Sequence, residues 1–527
     1  MNGFRSALIC MLTLCTFATT AAAQDGTSQR MNIQAGYGTV TMGGVQWQRF
    51  SFRPDIPIGK FGIGFDLELF IDNEGKISKE GWDFSNTNRT WDTILRKVYY
   101  VRYGQPLDRL YMRAGALDDV TLGYGLIMDG YRNTLNYPGD KKLGADFAVR
   151  DFGTFGIDIH AMVNSVGDFR NKGAVAGTRI GFRPLKPTTD SILGRLVFGM
   201  TFVRDINQYA GLKDSDGDGY PDYQDGFPDD KNRYRDSDGD GYEDYVDTDG
   251  NRVYIDIDAD GDNNLDNTQP GGTDNPTLRE YSKLSDTIDG ISVYGFDVGL
   301  PLIETGVRLD LYGQFAQVYT GDENLNGGWG IGAPGLRLIA GQFTGQVEYR
   351  YFKGRFRPNY FDNLYEHERV RLVGLTPVTK EMTLVDETWN GVHGRAKYNL
   401  FNFVEAGAGY QYMTGDASFQ DVTGTVGLME NLLRSIPKIS IAEAYFHNTT
   451  YANIYYGAID KKFEDHYSLW DFTPNTFYGT RIGFEVTPGM IIVWDTRYTF
   501  SPRDPADPTQ GLVKQRFVGI ETVLQVK

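Results

Sequence analysis

The sequence predicts an all-β protein, a transmembrane antiparallel barrel of about 18–20 strands interrupted once by an acidic insert. Three observations predict it. Apolar and polar residues alternate with period two along most of the 527 residues, short and long connections alternate between those segments, and the negative charge is concentrated in one stretch.

The first segment is set apart from the rest. Met1 to Arg5 is a short basic start, residues 6–20 are an apolar run, and Ala21-Ala22-Ala23 supplies a small-residue cleavage site. That is the layout of a secretory signal peptide, expected to occupy 1–23 and to be removed. The apolar run is 15 residues long, short of the ~20 that a spanning helix needs. Both cysteines, Cys10 and Cys15, fall inside it, so the mature chain is expected to carry no disulfide and no thiol site.

Successive side chains of a strand point to opposite faces, so alternation marks the strands. In "IGFDLELFI", Ile63, Phe65, Leu67, Leu69 and Ile71 share one face, with Asp66 and Glu68 on the other. In "GVRLDLYGQF", Val307, Leu309 and Leu311 oppose Arg308, Asp310 and Gln314. In "TGQVEYRYF", Val347, Tyr349 and Tyr351 oppose Glu348 and Arg350, and in "FVEAGAGYQY" Val404, Ala406, Ala408 and Tyr410 oppose Glu405 and Gln411. The closing "RFVGIETVLQV" repeats the rhythm. Barrel strands are expected in 24–205 and again in 288–527.

Short turns such as "RPDIPIG", "GQPLDR" and "VTPG" alternate with long polar segments at 72–92, 118–142, 354–387 and 449–476. Short turns on one side and long loops on the other are the pattern of a transmembrane barrel. Only alternate residues of such a wall meet lipid, which reconciles a membrane protein with a mean hydropathy of −0.39. The 33 Tyr, 32 Phe and 7 Trp suit the aromatic girdles at the two interfaces. A water-soluble sandwich or propeller would also alternate, but no blade-length repeat is present and sandwiches lack the short/long asymmetry.

The insert, 206–287, carries the charge. Between Asp214 and Asp266 there are 19 acidic residues against Lys231, Arg233, Arg235 and Arg252, a net of −15 out of −17 for the whole chain. "DSDGDGYPDYQD" places Asp214, Asp216, Asp218, Asp222 and Asp225 at positions 1, 3, 5, 9 and 12, with Gly219 at 6. Twenty-two residues later Asp236, Asp238, Asp240, Asp244 and Asp247 repeat the pattern with Gly241. A degraded third copy offers Asp258, Asp260, Asp262 and Asp266, with Asn263 in place of the glycine.

Carboxylates at alternate positions turn inward around one ion if the loop bends sharply, and glycine permits the bend. Ca²⁺ takes 6–8 hard oxygen ligands, and this spacing supplies them, with the backbone carbonyls of Tyr220 and Tyr242 at position 7. Without a cation the like charges would repel. An EF-hand fits less well, because position 12 is Asp rather than Glu and Pro221 and Pro228 oppose tight flanking helices.

With its link Asp225-Gly226-Phe227-Pro228-Asp229, the stretch resembles thrombospondin type 3 calcium repeats in their cysteine-free bacterial form. That resemblance implies calcium binding and a stiffened extension. The remainder resembles porin-like bacterial outer-membrane barrels, which implies outer-membrane lipid around it and the outer membrane of a Gram-negative-type bacterium as its place.

The last strand of such barrels ends in the periplasm with the short turns. The insert follows "GRLVFGMTFV", which follows a short turn, so it belongs to the extracellular loops. It is expected to be a small module stabilised by metal, since it has too few apolar residues for a core.

Asp66, Glu68, Arg308, Asp310, Glu348, Arg350 and Glu405 are expected to face the lumen, either tuning selectivity or packing as interior salt bridges. Segment 118–142 alternates poorly and is expected to fold inward as a constriction. No HExxH, P-loop or dinucleotide motif is present, and the five histidines are scattered. The chain is therefore read as no enzyme, although His160 lies near Asp158 and Ser165 in sequence. Nothing basic enough for nucleic acid is present. Two functions fit: a channel or importer for small solutes, or a barrel-anchored module that binds surface partner proteins.

Overall fold

The computed structural model describes residues 32–524, except 43–44, 73–74, 76–96, 107, 135–141, 171, 187–190, 215, 229, 237–242, 244, 247–251, 254–280, 285–287, 321–326, 374–375, 416–417, 451–468, 474–475, 488–489 and 504–510. The expected signal peptide lies outside them.

Twenty-one strand segments form one antiparallel sheet. Phe61–Phe65 and Leu67–Ile71 are two pieces of one strand, both paired with Val45–Ile58, so the wall has one stave fewer, 20. The expected strand 63–71 is thus interrupted at Asp66, whose carboxylate is buried against Arg53 Nε at 2.8 Å. Each stave pairs with its sequence neighbours, from Asn32–Met42 on Val45–Ile58 to Met490–Pro502 on Leu512–Leu524. The first and last staves lie side by side, which closes the sheet into a barrel. No helix among the described residues is long and apolar enough to cross a membrane, which says nothing of a barrel.

The outer face follows from the alternation. Cross-strand partners Ile159, Ile180, Met200, Phe296, Phe315, Ile331 and Tyr351 form an unbroken apolar row across seven staves. Phe198, Phe202, Val298 and Val347 are exposed above and below it. Aromatic contacts mark both rims, with Phe61–Tyr103 and Phe343–Tyr398 at the short-turn end and Phe472–Phe500 and Tyr478–Tyr498 at the other.

The hydrophobic core lies inside the barrel. Residues 116–134 fold inward, as expected for part of 118–142, and bury Val120, Leu122, Leu126, Ile127, Met128 and Tyr131. The connection 355–386, read from sequence only as a long polar segment, enters too and buries Phe356, Tyr360, Phe361, Tyr365 and Leu384 beside them. The two segments meet where Met128 pairs with Phe361. They pack on inward-facing Val203, Val293, Val318, Phe352 and Met413. A closed wall cannot bury its inner apolar residues against itself at this diameter, so inserted loops do it.

Candidate functional site

The plug is fastened by buried charge. Arg369 and Asp205 are both fully buried; Arg369 Nε donates to Asp205 Oδ2 (2.6 Å) and Nη2 to Oδ1 (2.5 Å). Arg369 Nη2 also donates to the carbonyls of Gly173 (2.6 Å) and Asn207 (2.9 Å), and the Tyr365 hydroxyl donates to Asp205 (2.7 Å). Glu366 ties the two inserted segments together. It accepts from Tyr131, from Lys142 Nζ (2.6 Å) and from Asn164 Nδ2 (2.9 Å). Burial works against its charge, but Lys142 and Arg369 hold the Glu366 carboxyl down at about 2.

Deeper in the lumen the tip of 116–134 meets the wall. The Tyr124 ring stacks on Tyr312 at 4.1 Å, and its carbonyl accepts from Gln346 (3.2 Å). Its hydroxyl runs so close to Gly299 that a Cβ there would sit 2.0 Å away, so a side chain at that wall position would have to displace the Tyr124 ring. Asp129 pairs with Arg395 and accepts from Asn359 (3.1 Å).

All seven expected lumen residues sit on the inner face, in two environments. Asp66 and Glu68 are buried against Arg53 and Arg49. Glu348 accepts from Tyr312 (2.8 Å), Gln314 (2.7 Å) and Arg350 (2.5 Å), and Arg350 reaches Gln411. Asp310 is buried with half-exposed Arg308 on it at 3.0 Å. Glu405, by contrast, is 44% exposed and pairs at 3.0 Å with Lys397, itself 64% exposed. The staves beyond it carry similar inward pairs, Arg481–Glu443 and Arg497–Asp495, whose arginines are 38% and 44% exposed. The plug therefore leans on one side of the barrel, and the inward pairs Lys397–Glu405, Arg481–Glu443 and Arg497–Asp495 stay exposed among the described residues.

His160 does not meet Ser165. Its Nε2 lies 2.7 Å from Asp146, while Ser165 accepts the Asp168 amide (3.1 Å) and Asp158 accepts the Asp151 amide (2.8 Å).

In the acidic insert the first loop is described apart from position 215. Asp214, Asp216 and Asp218 each offer an oxygen within 4.8 Å of the others'. Asp214 accepts the amides of Gly217 (2.7 Å) and Gly219 (3.0 Å), and Asp218 accepts that of Tyr220 (2.8 Å). Gly219, at position 6, has φ +99°, a backbone open to glycine. Asp222 faces Lys213 at 2.8 Å, and Asp225 is buried and accepts the Phe227 amide (2.7 Å). Burial first, then Asp218, Asp216 and Asp214, push the Asp225 carboxyl up to about 6 against the pull of that amide. Burial likewise raises Asp216, whose Oδ2 is buried with no hydrogen-bond partner.

Asp236 opens the second loop, buried, with its amide on the Tyr281 hydroxyl (2.8 Å). Asp238, Asp240, Tyr242, Asp244, Asp247, Asp258, Asp260, Asp262 and Asp266 lie outside the described residues. An aromatic cluster gathers the described part of the insert, where no apolar core was expected. Tyr220 stacks on Tyr234 at 3.9 Å, and Tyr281 meets both edge-on.

Sequence reading missed the Arg369–Asp205 anchor and Glu366, because partners about 160 to 235 residues apart leave no local pattern. The one available signal was the failure of 354–387 to alternate.

No family model matches the chain, and no curated protein matches it. Solved structures similar to it include three barrels. Wzi from Escherichia coli is an outer-membrane, carbohydrate-binding β-barrel involved in group 1 capsule assembly; it is 10% identical, with 94% of this chain and 84% of that one covered and a TM-score of 0.31. The FrpB iron transporter from Neisseria meningitidis is 9% identical over 96% and 75%, with a TM-score of 0.36. The siderophore receptor PirA from Acinetobacter baumannii is 7% identical over 95% and 81%, with a TM-score of 0.33.

Proposed function

We propose that this chain is an outer-membrane barrel that passes small polar solutes along one side of its lumen, beside a fixed plug. The apolar outer row and the aromatic rims suit a lipid surrounding. The observation that carries the transport reading is the exposure of inward ion pairs Lys397–Glu405, Arg481–Glu443 and Arg497–Asp495. Charged groups on the inside of a closed barrel stay hydrated only if water fills the lumen beside them.

Purified protein in a planar bilayer is expected to give discrete conductance steps. Silence in that assay, together with calcium-dependent binding to a surface partner protein, would replace transport by a barrel-anchored binding role.

We also propose that calcium orders the acidic module at the long-loop rim. The residues fit the ion: three carboxylates converge, the glycine bend is in place, and Asp216 Oδ2 is a buried oxygen without a partner. A hard dication would relieve the repulsion that, after burial, raises Asp225. Asp214, Asp216, Asp218 and Asp225 would hold it in the first loop, and the ion would supply charge neutralisation and cross-linking of the loop.

Calcium is expected to slow proteolysis within 206–287 of the whole protein, half-maximally at about 0.1–1 mM as in other extracellular modules. The double variant D216N/D218N should abolish that protection. Cleavage that ignores calcium would remove this part of the reading.

A further inference from the structure

We infer that the short-turn half of the lumen holds a binding site for a small oxyanion, a carboxylate or a phosphate, centred on Arg337. Beneath the plug tip at Gly123 and Tyr124 is a cavity of about 360 Å³. At roughly 30 Å³ per water, it holds about a dozen waters or one small organic acid. It is too small to take up the acyl chains of a lipid.

Arginine forks dominate its wall. Arg150, Arg179, Arg183, Arg308 and Arg337 line it, against Asp151, Asp158 and Asp310. Most of that charge is spoken for. Arg179 is bidentate on Asp297, at 2.9 and 2.6 Å. Arg308 donates to Asp310, Arg150 to the Asp108 carbonyl (3.1 Å), and Asp158 takes the Asp151 amide. Asp151 is shared between Lys186 and Arg183, the latter at 3.5 Å.

Two donors remain. Arg183 Nε is buried with no hydrogen-bond partner. Arg337, opposite Asp310 in the strand register, lines the cavity, and its side chain has no hydrogen bond or ion pair among the described residues. A guanidinium held in a half-buried cavity without an acceptor is costly, and its planar fork matches carboxylate and phosphate oxygens two at a time. An entering oxyanion would complete both arginines.

This inference does not depend on conduction, because it is tested by equilibrium binding. Inorganic phosphate and succinate are titrated by calorimetry into the whole protein in a non-ionic detergent and an oxyanion-free chloride buffer, with glucose as the neutral control. Saturable binding of at least one anion, and none of glucose, is expected. R337Q should weaken it roughly tenfold or more, the loss of a charge-assisted fork. R337K keeps the charge without the fork and should also weaken binding.

K397Q, elsewhere in the lumen, should bind as the parent does. Heat-modifiable gel migration checks that each variant is closed, and R337K decides if R337Q is not. Absence of anion binding to the parent protein would overturn the site. So would an R337Q protein of parental affinity, or a K397Q protein as weak as R337Q.

Discussion

Replacing residues 120–131 with a short Gly-Ser bridge is expected to raise the unitary conductance of the protein several-fold while leaving the barrel closed. The bridge removes Val120, Leu122, Leu126, Ile127, Met128 and Tyr131 from the lumen, together with the Tyr124 contact on Tyr312 and the Asp129 ion pair with Arg395. None of these groups contributes to the strand ladders that close the wall, so the barrel keeps its backbone hydrogen bonds. Barrels of 16–18 strands leave an aqueous channel and those of 22 hold a plug; with 20 staves, this lumen is wide enough for inserted chain to set the bore. Planar-bilayer recordings of parent and bridged proteins make the comparison. Equal conductance in the two would mean that the plug does not set the bore of the channel.

Replacing Arg369 with methionine is expected to loosen the 355–386 segment by about 3–5 kcal/mol, the usual result of leaving one partner of a buried pair unmatched. Asp205 would keep only the Tyr365 hydroxyl and the Asn207 amide, the latter at 3.0 Å, and the carbonyls of Gly173 and Asn207 would each lose a donor. Trp389, nearly fully buried in the core that includes the plug residues, reports the loss as a fall in the denaturant midpoint of its fluorescence. The double variant R369M/D205L removes both charges and should recover most of the stability, because an apolar pair of similar volume replaces a buried ion pair at little cost. A silent R369M would show that the plug is held by apolar packing alone.

Strand positions were legible in advance because the side-chain period is a local property. The residues Asp310, Glu348 and Arg350 alternate with Leu311, Val347 and Tyr349 whatever the rest of the chain does. The acidic loop was legible for the same reason, since its spacing and its glycine lie within twelve consecutive residues. Arg337 shows the limit. Its sequence neighbours Leu336 and Leu338 mark it as inward-facing, but nothing local tells a paired arginine from an unpaired one.

By itself, then, the sequence determined the all-β character, the two faces of the wall and the aspartate spacing of the acidic insert, all matters of near neighbours. Tertiary structure alone decided that two inserted segments fill one side of the lumen, that Arg369 finds Asp205 164 residues away, and that the Arg337 side chain finds no acceptor among the described residues. The physical reason is closure: curling the sheet into a barrel brings inward side chains from distant strands together around a shared interior, and which charges meet there depends on stave number and loop path.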